Sequence, residues 1–199
     1  MPRYPATETA EKHERILQEA SRLFRENGLS GVSVGDLMQA ADLTHGSFYN
    51  HFESKQALVG KCIDWLNPRA VGRIGSAMPT EAGKRAFVSK YLSVASRDEP
   101  GQACLMSTLG PEIAREPAAR AAMTSYVQTF VSKLVSHFPW PRPAAARKDA
   151  IRMTASLVGA MVLARSVDDD TLSREILREV IGQFTEGGAD TRKPRRAAG

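Results

Sequence analysis

Residues 33–52 read SVGDLMQAADLTHGSFYNHF, and this stretch decides the fold. Ser33 is a residue type that caps helix N-termini, and Asp36, three residues on, sits at the capping-box position. Val34, Leu37, Met38 and Ala41 then recur at i, i+3, i+4 and i+7, the spacing of one helical face. That helix is short and ends near Ala41. Asp42-Leu43 makes a turn, and Thr44 caps a second helix through His45–His51, with Phe48 and Phe52 four apart on one face. Gly46 lowers helix propensity by about 1 kcal/mol relative to Ala. Close approach of another backbone, protein or phosphate, is a sufficient reason for its small size. Short helix, tight turn and short helix outline a helix-turn-helix, the unit whose last helix lies in a DNA major groove.

The residues expected to face outward on that last helix are Thr44, His45, Ser47, Tyr49, Asn50 and His51. Asn pairs bidentately with adenine, and His, Ser and Thr meet base edges or phosphates. Tyr49 can lay its ring on the backbone and give its hydroxyl to a phosphate. Lys55 lies in the first turn of the next helix, where the dipole and free N–H groups attract phosphate. Ser33, at the start of the first helix of the motif, completes the candidate DNA contacts. A generic three-helix corner with solvated polar residues has the same outline, so the geometry alone leaves DNA binding and plain packing both open.

Outward from this stretch the chain reads as helices almost throughout. Ile16, Leu17, Ala20, Leu23 and Phe24 mark a helix over about Glu8–Asn27, stopped by Asn27-Gly28. Ser54 caps a helix with Leu58, Cys62 and Trp65 on one stripe, which Pro68 should kink or end. Gly72, Gly75, Pro79 and Thr80 form a break, followed by a helix over about Glu81–Ala95 and a turn at Asp98–Gly101. Cys104–Arg115 is helical with an interruption at Gly110-Pro111. Pro117 takes the first position of a long helix carrying Met123, Val127, Phe130, Leu134 and Phe138. Residues Pro139 to Pro143 form a rigid connector. Two more helices cover about Ala144–Ser166 and Thr171–Glu186, and Gly187-Gly188 ends the fold. No alternating run suggests a sheet. The predicted class is all-α: a three-helix DNA-binding unit plus a larger helical domain, about nine helices.

Composition narrows the function without naming it. The chain has 199 residues and a net charge of +5, but Arg192, Lys193, Arg195 and Arg196 sit in a final stretch that reads as a disordered basic tail. Residues 1–60 hold six Lys and Arg against eight Asp and Glu, a net −2, so bulk charge does not identify a polyanion partner. No apolar run approaches a membrane span and no secretory h-region is visible. Two cysteines, Cys62 and Cys104, make no disulfide framework, and a reducing cytoplasm is the simplest compartment. The histidines His13, His45, His51 and His137 show no metal spacing. There is no phosphate loop, nucleophile elbow or paired carboxylate site. Neither a metal, a cofactor nor a membrane is expected as a partner. A small helical enzyme would need a polar pocket with perturbed acids or bases. A protein-interaction module would not need Tyr49 and Lys55 at their spacing. These remain the alternatives to a DNA-binding regulator.

Residues 16–58, ILQEASRLFRENGLSGVSVGDLMQAADLTHGSFYNHFESKQAL, resemble the TetR family of bacterial transcriptional regulators. The most specific piece is Thr44 to Phe52 followed by Ser54-Lys55, where Gly46, Tyr49, Phe52 and Lys55 keep the family spacing. The resemblance implies a homodimer, a helix-turn-helix domain over 1–55 with its motif at 33–52, an effector-binding and dimerisation domain over 56–190, and a tail over 191–199. It implies a ligand-responsive repressor that binds double-stranded operator DNA and is released by a small-molecule or electrophile effector of unknown identity. The family often has Gly in the turn where this chain has Asp42. Asp tolerates the left-handed conformation better than most residues, so Asp42 is expected at positive φ.

The second half carries weaker patterns. Ala144–Ser166 is apolar on nearly all sides, and the next helix carries Leu172, Ile176, Val180 and Phe184 on one stripe. Read with the resemblance, Ile151, Leu157, Val158, Gly159, Met161, Val162 and that stripe form a four-helix dimer interface, with a palindromic operator as its consequence. Plain monomer core is the other reading. Candidate walls of an effector pocket are Trp65, Phe87, Tyr91, Cys104, Leu105, Met106, Leu109, Met123, Tyr126 and Phe130, a set that suits an apolar ligand. No cluster of charges in the sequence marks a charged one. Residues 101–112 resemble the corresponding stretch of a TetR subgroup that includes the repressor of N-ethylmaleimide reductase, an electrophile sensor. Cys104 opens a predicted helix, where thiols are more reactive. A buried small hydrophobe is the plainer reading.

Overall fold

The computed structural model describes residues 6–185, and among them all regular structure is helical. α1 (Ala6–Asn27) ends where Gly28 turns to φ +76° and gives its N–H to the Phe24 carbonyl. α2 (Val34–Ala40) begins with the expected capping box, Ser33 and Asp36 each accepting the other's backbone N–H. Asp42 follows at φ +56°, as its residue type predicts. The helix after it, His45–Asn50, is a 3-10 helix. Thr44 stands at its N-cap position but makes no side-chain capping bond.

α3 (Lys55–Gly75) is capped by the Ser54 hydroxyl and runs unbroken past Pro68, against the expected kink or stop. α3 packs along α7 (Pro117–His137) as the most extensive helix pair, so tertiary packing outweighs the local loss of one ladder bond. Pro117 occupies the first position of α7, as read. The helix expected over 81–95 divides into α4 (Glu81–Tyr91) and α5 (Val94–Asp98), because Ser93 accepts the Ser96 N–H and starts a new helix.

α6 (Leu105–Ile113) continues through Pro111, where an interruption was expected. Proline withholds the N–H that the Ser107 carbonyl would otherwise receive. The Arg165 guanidinium donates to that carbonyl instead, at 3.2 Å. α8 (Ala146–Ser166) and α9 (Asp170–Thr185) follow, and Asp169 accepts the Thr171 and Leu172 N–H groups at the start of α9.

One core cluster links Ile16, Phe24, Leu37 and Phe48 of the N-terminal helices with Leu58 and Ile63 of α3 and with Phe130 and Leu134 of α7. A second cluster joins Val88 and Leu92 to Met153, Leu157, Met161 and Leu177. Among the described residues no helix is long and apolar enough to cross a membrane. The expected Gly187-Gly188 stop and the basic tail over 191–199 lie outside the described residues.

Candidate nucleic-acid interface and ligand cavity

Phe48 is fully buried and Phe52 nearly so, which fixes the 3-10 helix by its inner side and turns the other side out. Thr44, His45, Tyr49 and Asn50 are exposed, Tyr49 at 64%. The Tyr49 ring stands edge-on to both Phe48 and His45, so packing orients it while its hydroxyl stays free to reach outward. No described residue lies within 4 Å of where a Gly46 Cβ would be, so none of them makes the close approach inferred for Gly46.

Three expected contacts are half-buried and partly engaged within the chain. Lys55 donates its ammonium to the Leu29 carbonyl and lies 5.9 Å from the Phe24 ring centroid, so the lysine stem follows the core and its charge closes the loop after α1. His51 is half-buried beside His13 and Phe52, and burial, with His13 and Lys12 nearby, holds its imidazole below the ordinary histidine range. Ser47 gives its hydroxyl to the Thr44 carbonyl at 2.7 Å. Ser33 is exposed but its oxygen is engaged as the α2 cap.

A cavity of about 550 Å³ opens among α3, α4, α6 and α7, within the range of small-molecule sites. Five of the expected walls line it: Phe87, Tyr91, Cys104, Tyr126 and Phe130. The other five do not. Trp65 donates its indole N–H to Glu14 and stacks under Arg69 on the outer side of α3. Leu105, Met106 and Leu109 are buried in the core, and Met123 packs against it. A helix presents one face per 3.6 residues, and the apolar positions of α6 are those that face the core.

Sequence reading missed the polar walls, which include Arg73, Lys90, Glu99, Gln102 and Ser107. The available signal was helical spacing: Lys90 is three residues from Phe87 on α4, and Ser107 three from Cys104. The Tyr91 hydroxyl is buried beside Cys104 and Ser107 and makes no hydrogen bond of good geometry among the described residues. Burial pushes both Tyr91 and Tyr126 up, with the Cys104 thiol alongside each, so both remain phenolic donors at neutral pH. Cys104 is the N-cap residue of α6, half-buried and facing the cavity, whereas Cys62 is sealed in the core and burial pushes its thiol up to about 12.

The cavity wall is tied to the N-terminal helices. Arg25 of α1 donates to the Ala103 carbonyl at 2.9 Å, and the Leu29 N–H donates to Glu112 of α6 at 2.7 Å. Gly101 lies against the Glu26 side chain, so a Cβ there would force the Glu26 carboxylate to shift.

On the opposite part of the molecule, Ile151, Leu163 and Leu172 are large apolar residues left exposed. Val158, Gly159, Val162, Ile176, Val180 and Phe184 are half-buried. Leu157 and Met161, expected at a dimer interface, are instead 1% exposed and packed on Val88 and Leu92. Both therefore belong to the monomer interior, and Met161 also lines the cavity. Among the described residues no three His, Cys, Asp or Glu side chains gather into a metal-binding group.

Residues 16–62 match the family model described as bacterial regulatory proteins, tetR family. A transcriptional repressor, DhaR of Mycobacterium sp. (strain GP1), is 27% identical over 118 residues, covering 59% of this chain and 59% of that protein. The chain thus spans under two thirds of that curated relative's length. The reduced form of Escherichia coli NemR superposes with a TM-score of 0.72 at 19% identity, covering 88% of this chain and 96% of that one. A TetR-family regulator from Agrobacterium tumefaciens gives a TM-score of 0.71 at 23% identity, covering 87% and 97%. These two likenesses establish the fold.

Proposed function

Taking as premise that the chain belongs, through residues 16–62, to the TetR family of bacterial regulatory proteins, we propose that it is a ligand-responsive transcriptional repressor. It acts in the cytoplasm as a homodimer on a palindromic operator. The observation that carries this reading is the outward set Thr44, His45, Tyr49 and Asn50 on a helix anchored by Phe48. A major groove receives such a helix, base edges meet Asn50 and His45, and Tyr49 meets a phosphate. The open space over Gly46 suits close approach of a DNA backbone.

Exposed Ile151, Leu163 and Leu172 with half-buried Val158, Val162, Ile176, Val180 and Phe184 support a two-fold α8–α9 interface. The two recognition helices then reach half-sites about 34–36 Å apart.

The effector, a small molecule or an electrophile reaching Cys104, occupies the cavity. Ala70 and Arg73 line it near one end of α3, and Lys55 begins the other end. Eighteen residues of helix carry a displacement about 27 Å. The Arg25 and Glu112 contacts provide a second connection to α1. An effector that favours the non-operator state by about 1–3 kcal/mol suffices for a regulator of this kind.

Selection of genomic fragments by the purified protein tests the reading. The expected product is a two-fold symmetric sequence bound by a dimer. Recovery of fragments with no shared sequence, at affinities equal to bulk DNA, refutes it.

A further inference from the structure

Arg25 and Arg165 are two cations set behind the walls of the cavity, neither in an ion pair among the described residues, with Asp98 the nearby acid for Arg165. Arg25 is 8% exposed, and its guanidinium donates to the Ser21 carbonyl at 2.8 Å and to the Ala103 carbonyl at 2.9 Å. Arg165 donates to the Arg97 carbonyl at 3.0 Å, to the Ser96 carbonyl at 2.7 Å, and to the Ser107 carbonyl and hydroxyl at 3.2 and 3.3 Å. Ala103, Ser96 and Ser107 are all cavity walls. Every acceptor is a neutral oxygen. Among the described residues neither guanidinium forms an ion pair, and nearby Asp98 is held by Arg97 at 2.7 Å.

Carbonyl dipoles solvate a buried guanidinium, but they leave its net charge uncompensated. Arg73 and Lys90 line the same cavity, against a single acid, Glu99. The charged side chains that line or directly back the cavity are therefore mostly cationic. The Tyr91 hydroxyl is buried at the same place beside the Cys104 thiol and the Ser107 hydroxyl, and it forms no hydrogen bond of good geometry with any described residue. Phe87, Phe130 and Ala70 supply apolar wall. Mostly cationic surroundings, a buried O–H donor and an aromatic wall are complementary to one kind of molecule.

We propose that the cavity binds an organic carboxylate with a flat apolar body. The carboxylate accepts from the Tyr91 hydroxyl and faces Arg73, while the body lies against Phe87 and Phe130. The net positive surroundings that sequence patterning did not show come from α1, α3, α4 and α8, brought together only by folding. This assigns a chemical class to the effector and rests on the regulator reading for its biological role.

Calorimetric titration with 2-naphthoate and 4-phenylbutyrate, each beside its neutral amide, tests the class. At least one acid is expected to bind once per protomer and about tenfold or more tighter than its amide. Tyr91→Phe is expected to weaken that acid by about tenfold, and Arg73→Gln to narrow the gap between acid and amide. Circular dichroism of both variants checks that they are folded. Amides binding as tightly as acids, acid affinity unmoved in folded Tyr91→Phe, or no acid binding at millimolar concentration would each overturn the proposal. Operator affinity measured in parallel separates the two levels. An amide that releases the operator where the acids do not sinks the carboxylate class and keeps the regulator. An acid that binds through Tyr91 yet leaves operator affinity unchanged keeps the site and sinks its role as effector site.

Discussion

Replacing Arg25 by Met tests how the N-terminal helices are held to the cavity. The Ser21 carbonyl lies one turn back within α1, so it keeps its own ladder bond when the side chain is lost. The Ala103 carbonyl loses the one donor found for it. A bond from a charged donor is worth about 1.5–3 kcal/mol. Against that, burial pulls the Arg25 guanidinium down to about 10, so desolvation costs its charged form about 3 kcal/mol. The two nearly cancel, and Met retains most of the packing volume. Global stability should change by no more than about 1 kcal/mol, a Tm shift of about 2–4 °C for a chain of this size. Local protection should change far more. Loss of the α1-to-loop bond should speed amide exchange in peptides spanning Pro100–Cys104 by about tenfold, while peptides in α7 stay unchanged. Thermal denaturation and hydrogen-exchange mass spectrometry read the two quantities. A Tm fall above about 10 °C, or exchange unchanged around Ala103, would refute the reasoning.

Lys55→Met should leave the salt dependence of operator binding unchanged, because the ammonium is already bonded to the Leu29 carbonyl within the chain; a slope reduced by about one would return Lys55 to the DNA surface. His51 gives a pH dependence. Its imidazole titrates below the ordinary range when folded, so the unfolded chain takes up the proton first as pH falls, and stability is lost on acidification through the ordinary histidine range. The Tm decline from pH 7.5 to 5.5 should accordingly be shallower in His51→Gln than in the parent, measured by calorimetry. Leu163→Arg puts a charge on a residue that is 56% exposed and outside the monomer core. Light scattering should show monomers with Tm lowered only through lost dimer linkage, and an unchanged dimer would move the interface elsewhere.

The head of the molecule was legible because local chemistry decides it. Ser33 with Asp36, Asp42 in the left-handed region and Phe48 with Phe52 each answer to neighbours a few residues away. The bond Lys55 makes was not legible, because a long stem can follow apolar surface and deliver its charge to a distant carbonyl, here Leu29. Pro68 and Pro111 failed as helix breaks for tertiary reasons, the second because Arg165, more than fifty residues on, satisfies Ser107. Half of the expected cavity walls missed for a related reason. Apolar periodicity marks the side of α6 that meets the core, and a cavity is lined by what the core leaves over: Ser107, Arg73 and Gln102. Leu157 and Met161 show the same limit on α8, where an all-round apolar helix does not reveal which face meets a second copy.

The central claim is that the face bearing His45, Tyr49 and Asn50 reads a duplex. Fluorescence anisotropy on the selected operator and on a scrambled duplex, at two salt concentrations, tests it most directly. Tyr49→Ala should weaken both duplexes together, by about the worth of one phosphate contact. Asn50→Ala and His45→Ala should instead erode the preference for the operator, each by about 1–3 kcal/mol of discrimination. Identical behaviour of all three variants, or binding unchanged in every one, would contradict the account.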